Sequence, residues 1–223
     1  MKKSISLKIL KSFGMIGVIF YFIHVFLGQF LWKEYNPITT DISSLTAVGA
    51  PNAELLGIFT LIFGICLVIF AIAMVIESVN ENYSSITKLG FIFLLAMTII
   101  SLIGFALFPL SPDKTTLNFQ NTMHIIIAGI TALFSVIFLF LLGIGFLKKE
   151  KLIRLGEITL IVAILMVIFG VLNPISIALD LNILGLAERG VIFSLEAFIF
   201  FLSFVYTFNL KYFLSNNWFI IAL

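Results

Sequence analysis

Six stretches of this chain, 13–32, 53–76, 89–110, 121–147, 155–172 and 190–213, are almost wholly apolar. Hydrocarbon about 30 Å thick is crossed by a helix of roughly 20 such residues. No proline breaks a stretch internally; Pro109 stands at the close of the third. In lipid, a segment that is not part of a closed barrel satisfies its backbone only as a helix. The period-two alternation of an outer-membrane barrel is absent. The expected fold is therefore all-α, a polytopic membrane protein with a six-transmembrane-helix bundle. Composition agrees: 61% of the 223 residues are hydrophobic and 11% charged, against about 25% charged in soluble domains. The mean hydropathy is +1.22. A net charge of +2 gives no indication of a nucleic-acid partner. The single cysteine, Cys66, excludes an internal disulfide and reads as a small core hydrophobe.

The first stretch follows Lys2, Lys3, Lys8 and Lys11, as in a signal peptide. Its apolar run is longer than the usual 7–15 or so residues. The only small-residue site, near Val48 and Ala50, lies far beyond it. It is read as a retained anchor. Lysine and arginine in short loops set orientation. With the N-terminus inside, Lys2, Lys3, Lys8, Lys11, Lys88, Lys148, Lys149, Lys151, Arg154 and Lys211 face the cytoplasm, and Lys33, Lys114 and Arg189 face out, 10 against 3. Both termini are expected in the cytoplasm and the chain in the cell membrane. No internal repeat is visible, so residues 1–223 read as a single membrane domain.

Ionisable residues inside spans each require a reason. The candidates away from the ends of the stretches, or in a first turn, are His24, His124, Glu157 and Glu196. Glu157 sits in a first turn three residues after Arg154, which suits an ordinary ion pair. The other three belong to the outer half. Glu196 shares a helix face with Arg189, about 10 Å away. Asn121, His124, Ala128, Thr131 and Ser135 form one small and polar stripe, and Gly57, Thr60 and Gly64 another. Below His124 these stripes read as helix-packing surfaces. Among the outer loops, Tyr35 to Asn52 is long and rich in small polar residues. Asp41 is placed to cap a short helix ending near Gly49, and Asn52 to cap the second span. Ser111 before Pro112 reads as a cap with a first-turn proline. The third outer loop carries Asn173, Pro174, Asp180, Glu188 and Arg189.

Several local patterns recur together in order: Tyr35-Asn36-Pro37, Asp41-Ile42-Ser43-Ser44-Leu45-Thr46, Gly49-Ala50-Pro51-Asn52, Phe108-Pro109, His124 and Gly185-Leu186-Ala187-Glu188-Arg189. The chain thereby resembles the prokaryotic membrane family catalogued as domain of unknown function 998. That resemblance spans nearly the whole chain and implies a six-helix membrane protein without an assigned activity.

Asp41, Ser43, Ser44, Asn121, His124, Glu188 and Arg189 are expected at the outer surface, with His24 and Glu196 just beneath. Convergent polar groups in an apolar wall describe a binding pocket. The leading expectation is an outward pocket for a lipid headgroup or small amphiphile. Arg189 offers a fork to an anionic group, and Trp32 and Tyr35 sit at the interface. The plain alternative is that Glu188 and Arg189 anchor a helix at the headgroups. An intramembrane hydrolase would use Asp41, His124 and Ser43 or Ser44 as acid, base and nucleophile. Zinc on His24, His124 and Asp41 is a variant of that reading, but the spacing is not diagnostic. No G-x-S-x-G or H-E-x-x-H motif is present, and no metal or other cofactor is expected. A proton-linked transporter using His24 and Glu196, and an accessory partner of another membrane protein, complete the alternatives.

Overall fold

The computed structural model describes residues 2–111, 113 and 118–214. Pro112, expected to follow a cap at Ser111, and Lys114, counted among the outer charges, lie outside the described residues. Six long helices follow in order: α1 (Lys2–Leu31), α2 (Ala53–Asn80), α3 (Ser85–Leu107), α4 (Phe119–Lys148), α5 (Ile153–Ala178) and α6 (Leu184–Thr207). A 3-10 turn, η1 (Ile42–Thr46), interrupts loop 1 between α1 and α2, and another, η2 (Leu210–Leu214), follows α6. No strand occurs among the described residues. All six long helices are long and apolar enough to cross a membrane.

Each helix packs on the next, and α6 returns against α1, closing a ring. Six antiparallel crossings bring α1's start and α6's end to one end of the bundle, here the terminal end; loop 1 marks the other. Toward the terminal end the interior is solid: Phe70, Phe91, Phe138, Phe146 and Tyr206 are fully buried in one cluster. A smaller cluster at the loop-1 end joins Tyr21, Val25 and Leu56 to Tyr35, Ile42 and Leu45 of loop 1. The perimeter carries exposed Ile, Leu and Phe throughout, with Phe30 at 83% and Phe119 at 74% exposure. Water would not tolerate so continuous an apolar surface, and lipid is its natural solvent.

Close approach depends on glycine. At Gly14 the missing Cβ admits Ser203, whose hydroxyl donates to the Lys11 carbonyl at 2.6 Å and accepts from Met15 N–H at 3.0 Å. The hydroxyl thus bridges one turn of α1 from α6. Gly64 of the second small-residue stripe packs directly on Leu102 of α3, while the Cβ position of Gly57 is open. Buried Ser135 returns its hydroxyl to the Thr131 carbonyl, and Arg154 pairs with Glu157 at 3.1 Å.

The helix ends differ from expectation in several places; the sixth span, expected over 190–213, is α6 at Leu184–Thr207, so Glu188 and Arg189 belong to its first turns and not to a loop. The fifth span was expected to stop at 172, but α5 runs through Pro174 to Ala178. Proline lacks the N–H that would bond the Gly170 carbonyl, and membrane helices tolerate such a residue in their interiors. The Asn173 amide donates to the Phe169 carbonyl at 3.1 Å. Asp41 and Asn52 do occupy N-cap positions, but neither side chain makes a capping hydrogen bond to a backbone N–H. Asn118 is the residue whose side chain caps α4, accepting from Asn121 N–H.

Gly156 tests the packing. A Cβ there would meet the backbone of Leu147 at 2.8 Å and of Gly143 at 3.0 Å, atoms that cannot swing aside. Gly156→Ala is expected to cost about 1–3 kcal/mol by prising α5 from α4. The readout is the thermal midpoint of the detergent-solubilised protein; an unchanged midpoint would show that the two helices are not in this register.

Candidate functional site

Loop 1 folds back over the end of the bundle, and the first turns of α6 hold it there. Gly185 makes the approach possible, since any side chain would collide with the Pro37 and Thr40 carbonyl oxygens. One turn later, Arg189 is buried to 8% exposure. Its Nη1 donates to the carbonyls of Pro37 (2.6 Å), Thr40 (3.1 Å) and Gly185 (2.9 Å), and Nη2 to the Tyr35 hydroxyl (2.7 Å). The Tyr35 hydroxyl in turn donates to the carbonyls of Thr40 and Asp41. Burial pushes the Tyr35 phenol up from its ordinary value, and the Arg189 guanidinium pulls it partly back. Leu186 N–H donates to the Ile38 carbonyl at 3.0 Å.

Glu188 completes the clasp. Its carboxylate accepts from Ile42 N–H and, at 3.2 Å, from the Ser43 hydroxyl. The Ser44 hydroxyl donates to Asp41. Further along, Val48 N–H donates to the Leu110 carbonyl at 2.8 Å, tying loop 1 to the end of α3. Leu45, 0% exposed, fills the space left by Gly28 and rests on Leu56. Asp41, Ser43, Ser44, Glu188 and Arg189 therefore do come together, but they fasten a roof.

His124 and Asn121 belong to a second polar knot, between α3 and α4. His124 Nδ1 donates to the Phe108 carbonyl at 2.9 Å, and its ring lies against Phe105. Asn121 accepts from the Ser111 N–H and hydroxyl and donates to the Asp113 carbonyl. The Ser43 and Ser44 hydroxyls both donate to carboxylates, and His124 bonds a backbone carbonyl. His24, His124 and Asp41 form no metal-holding group; none of three or more His, Cys, Asp or Glu occurs among the described residues.

Beneath the roof lie the other two flagged residues. His24 is 2% exposed and Glu196 is 3% exposed. Neither His24 ring nitrogen has a hydrogen-bond partner of good geometry, and Glu196 Oε2 has no partner. The Tyr21 ring lies 5.4 Å from that of His24. Arg189 Nε is likewise buried without a partner. Beside this cluster an apolar groove of about 780 Å³ runs between α1 and α6, opening to the surroundings of the bundle. Val18, Phe22, Phe26 and Phe30 form one wall, Ala197 and Phe200 the other. Phe22 and Ala197 directly follow Tyr21 and Glu196 in sequence.

A third cluster, at the terminal end, was not singled out from the sequence. Glu77, buried at 6% exposure, lies 3.3 Å from both Lys11 and Lys211, and Lys211 meets Glu81 at 2.9 Å. The Lys211 ammonium also stands over the rings of Tyr83 and Tyr206, whose hydroxyls are 3.1 Å apart. Nearby, Glu150 accepts from Ser84 N–H and from the Ser84 and Thr87 hydroxyls at the start of α3. The available signal was a pair of carboxylates, Glu77 and Glu81, one turn apart at the end of an apolar run.

These features define the class: a polytopic helical membrane protein with a roofed polar cluster at one end and an ion-paired cluster at the other. The chain belongs to the family described as Protein of unknown function (DUF998), whose match covers residues 15–205. No curated protein and no solved structure matches it.

Two outcomes follow. Arg189→Ala strips loop 1 of charge-assisted bonds worth about 1.5–3 kcal/mol each before relaxation. The variant should melt earlier and become cleavable by protease within residues 36–48. Arg189→Lys should not rescue it, since one ammonium cannot reproduce the planar fork. Retained protection in Arg189→Ala would remove the clasp from the account. At the other end, burial pushes the Lys211 ammonium down, but the bond to Glu81 and the electrostatics of Tyr83, Glu77 and Glu81 outweigh it, and the net shift is upward. The stabilisation is then full below the ordinary lysine range and is lost as pH rises through the folded value. Lys211→Met is expected to cost about 3–5 kcal/mol. The gap in melting temperature from wild type should hold from about pH 7 to about pH 9 and narrow only in stronger alkali; a gap that closes near neutrality would contradict it.

Proposed function

We propose that this chain is a single-domain, multi-pass protein of the cell membrane that binds a lipid or small amphiphile in its loop-1 half. The observation that carries this reading is the buried, unpartnered pair of His24 and Glu196. Hydrocarbon supplies no hydrogen bond, so such groups are held at a cost. A ligand head that bonds to them offsets that cost. The groove between α1 and α6, lined by Ile23 and Ala197, the sequence neighbours of His24 and Glu196, supplies an apolar berth for a tail. In this reading Asp41, Ser43, Ser44, Glu188 and Arg189 hold the roof over the head, and Asn121 and His124 brace the neighbouring corner. Membrane lipid is the natural source of the ligand.

The excess of Lys and Arg on the terminal end, 10 against 3, supports a cytoplasmic location for both termini and an outer location for loop 1. The packed core around Phe70, Phe91, Phe138 and Phe146 gives a transport reading no polar path toward the terminal end among the described residues.

Native mass spectrometry of the detergent-purified chain tests the proposal. Wild type should retain one lipid or amphiphile through purification, and the double variant His24→Phe, Glu196→Leu should lose it while melting no earlier than wild type. A wild type that carries nothing, or a double variant that retains the same species equally, would sink the reading.

A further inference from the structure

We infer that the site is loaded sideways from the bilayer through the α1–α6 groove, and that its ligand is a membrane-resident amphiphile with an uncharged, hydrogen-bonding head. This rests on the binding reading above and adds the route and the chemical class of the ligand.

The route follows from what closes the other directions. Above the cluster, Ile42, Ser44 and Leu45 are each at most 2% exposed, and loop 1 is tied to α6 by Arg189, Glu188 and the Leu186–Ile38 bond. Loop 1 is tied again to α3 through Val48 and Leu110. Below, the fully buried Phe70, Phe91, Phe138 and Phe146 fill the interior. The side facing lipid is the one that opens: the groove extends from Val18 to Phe30, more than three turns of α1. Its walls at Phe22 and Ala197 stand one residue from Tyr21 and Glu196. A tail lying in the groove brings its head to these residues without crossing water.

The class of head follows from the donors and acceptors in place. His24 offers two ring nitrogens and Glu196 one carboxyl oxygen, all unpartnered. Imidazole and carboxyl can each donate or accept, depending on protonation, and so match a hydroxyl or amide. Arg189, the cation expected to receive an anionic group, spends Nη1 on the carbonyls of Pro37, Thr40 and Gly185 and Nη2 on Tyr35, so that only Nε is left and the planar fork is not open to an anion. A charged head entering from hydrocarbon would also carry the full cost of its own desolvation.

The test uses the full chain in nanodiscs, carrying Cys66→Ala. Ile38→Cys and Leu186→Cys, both at exposed positions joined through their backbones, are stapled with a short bis-maleimide to lock the roof. Binding of monooleoylglycerol, oleate and oleylamine, which share a C18 chain, is measured by native mass spectrometry. Monooleoylglycerol should bind roughly tenfold or more tighter than either charged analogue. Stapling should leave its binding unchanged, and Ala197→Trp, which fills the groove from a lipid-facing position, should weaken it by roughly tenfold or more. Loss of binding on stapling, or no effect of Ala197→Trp, overturns the lateral route. Tighter binding of oleate or oleylamine overturns the assignment of the head. Failure of all three lipids to bind unstapled protein overturns the binding reading itself, and with it this inference.

Discussion

Hydrocarbon offers a peptide group neither donor nor acceptor, so the backbone of each span must be satisfied within its own helix or by a neighbour that reaches in. That constraint explains the length of the six helices and also their repairs. Beside Pro174 in α5, Asn173 adds its amide to the Phe169 carbonyl one turn back. Where Ser203 of α6 meets Gly14 of α1, its hydroxyl both accepts from and donates to the α1 backbone. The hydroxyls of Thr60, Ser78, Thr98, Ser135, Thr159 and Ser194 bond to carbonyls three or four residues back. Polar side chains in these spans are thus mostly occupied, which is why the few unoccupied ones stand out.

The spans were legible because hydropathy over about 20 residues is a property of the chain itself. Their ends were less so. Pro174 looked like a boundary because proline ends helices in water, whereas here α5 continues for another turn. The grouping of Asp41, Ser43, Ser44, Glu188 and Arg189 was visible as a cluster of polar residues in facing loops. What held them together was not, because Arg189 binds backbone carbonyls, and a carbonyl has no signature in sequence. For the same reason nothing in the sequence tied the Arg189 Nη1 to Pro37, Thr40 and Gly185. Lys11 and Lys211 were legible only as charges that set orientation. Their convergence on Glu77 joins α1, α2 and η2, segments separated by more than 60 residues, and no local pattern records it.

The two ends of the bundle are secured by different chemistry. At the loop-1 end a planar guanidinium gathers four oxygen acceptors, three of them uncharged carbonyls, so loop 1 gains a fixed shape. At the terminal end point charges meet: two lysines and two glutamates, with tyrosine faces beside one ammonium. Guanidinium suits directional bonding and ammonium suits compact ion pairing. Helix α6 takes part in both. Its first turns carry Gly185, Glu188 and Arg189, and the chain leaving its last turn delivers Lys211.

This gives the order of chain synthesis a structural meaning. Neighbouring helices can pair as hairpins when each arrives in the bilayer, α1 with α2 and α3 with α4. The residues that pin loop 1 are made some 150 positions after it; Arg189 follows Tyr35 by 154. Until α6 is inserted, loop 1 has no clasp, the ring is open between α5 and α1, and Glu77 has Lys11 alone. The final helix therefore acts as the keystone of assembly, and a chain truncated before it leaves both ends of the bundle unfastened however well its first five spans have entered the membrane.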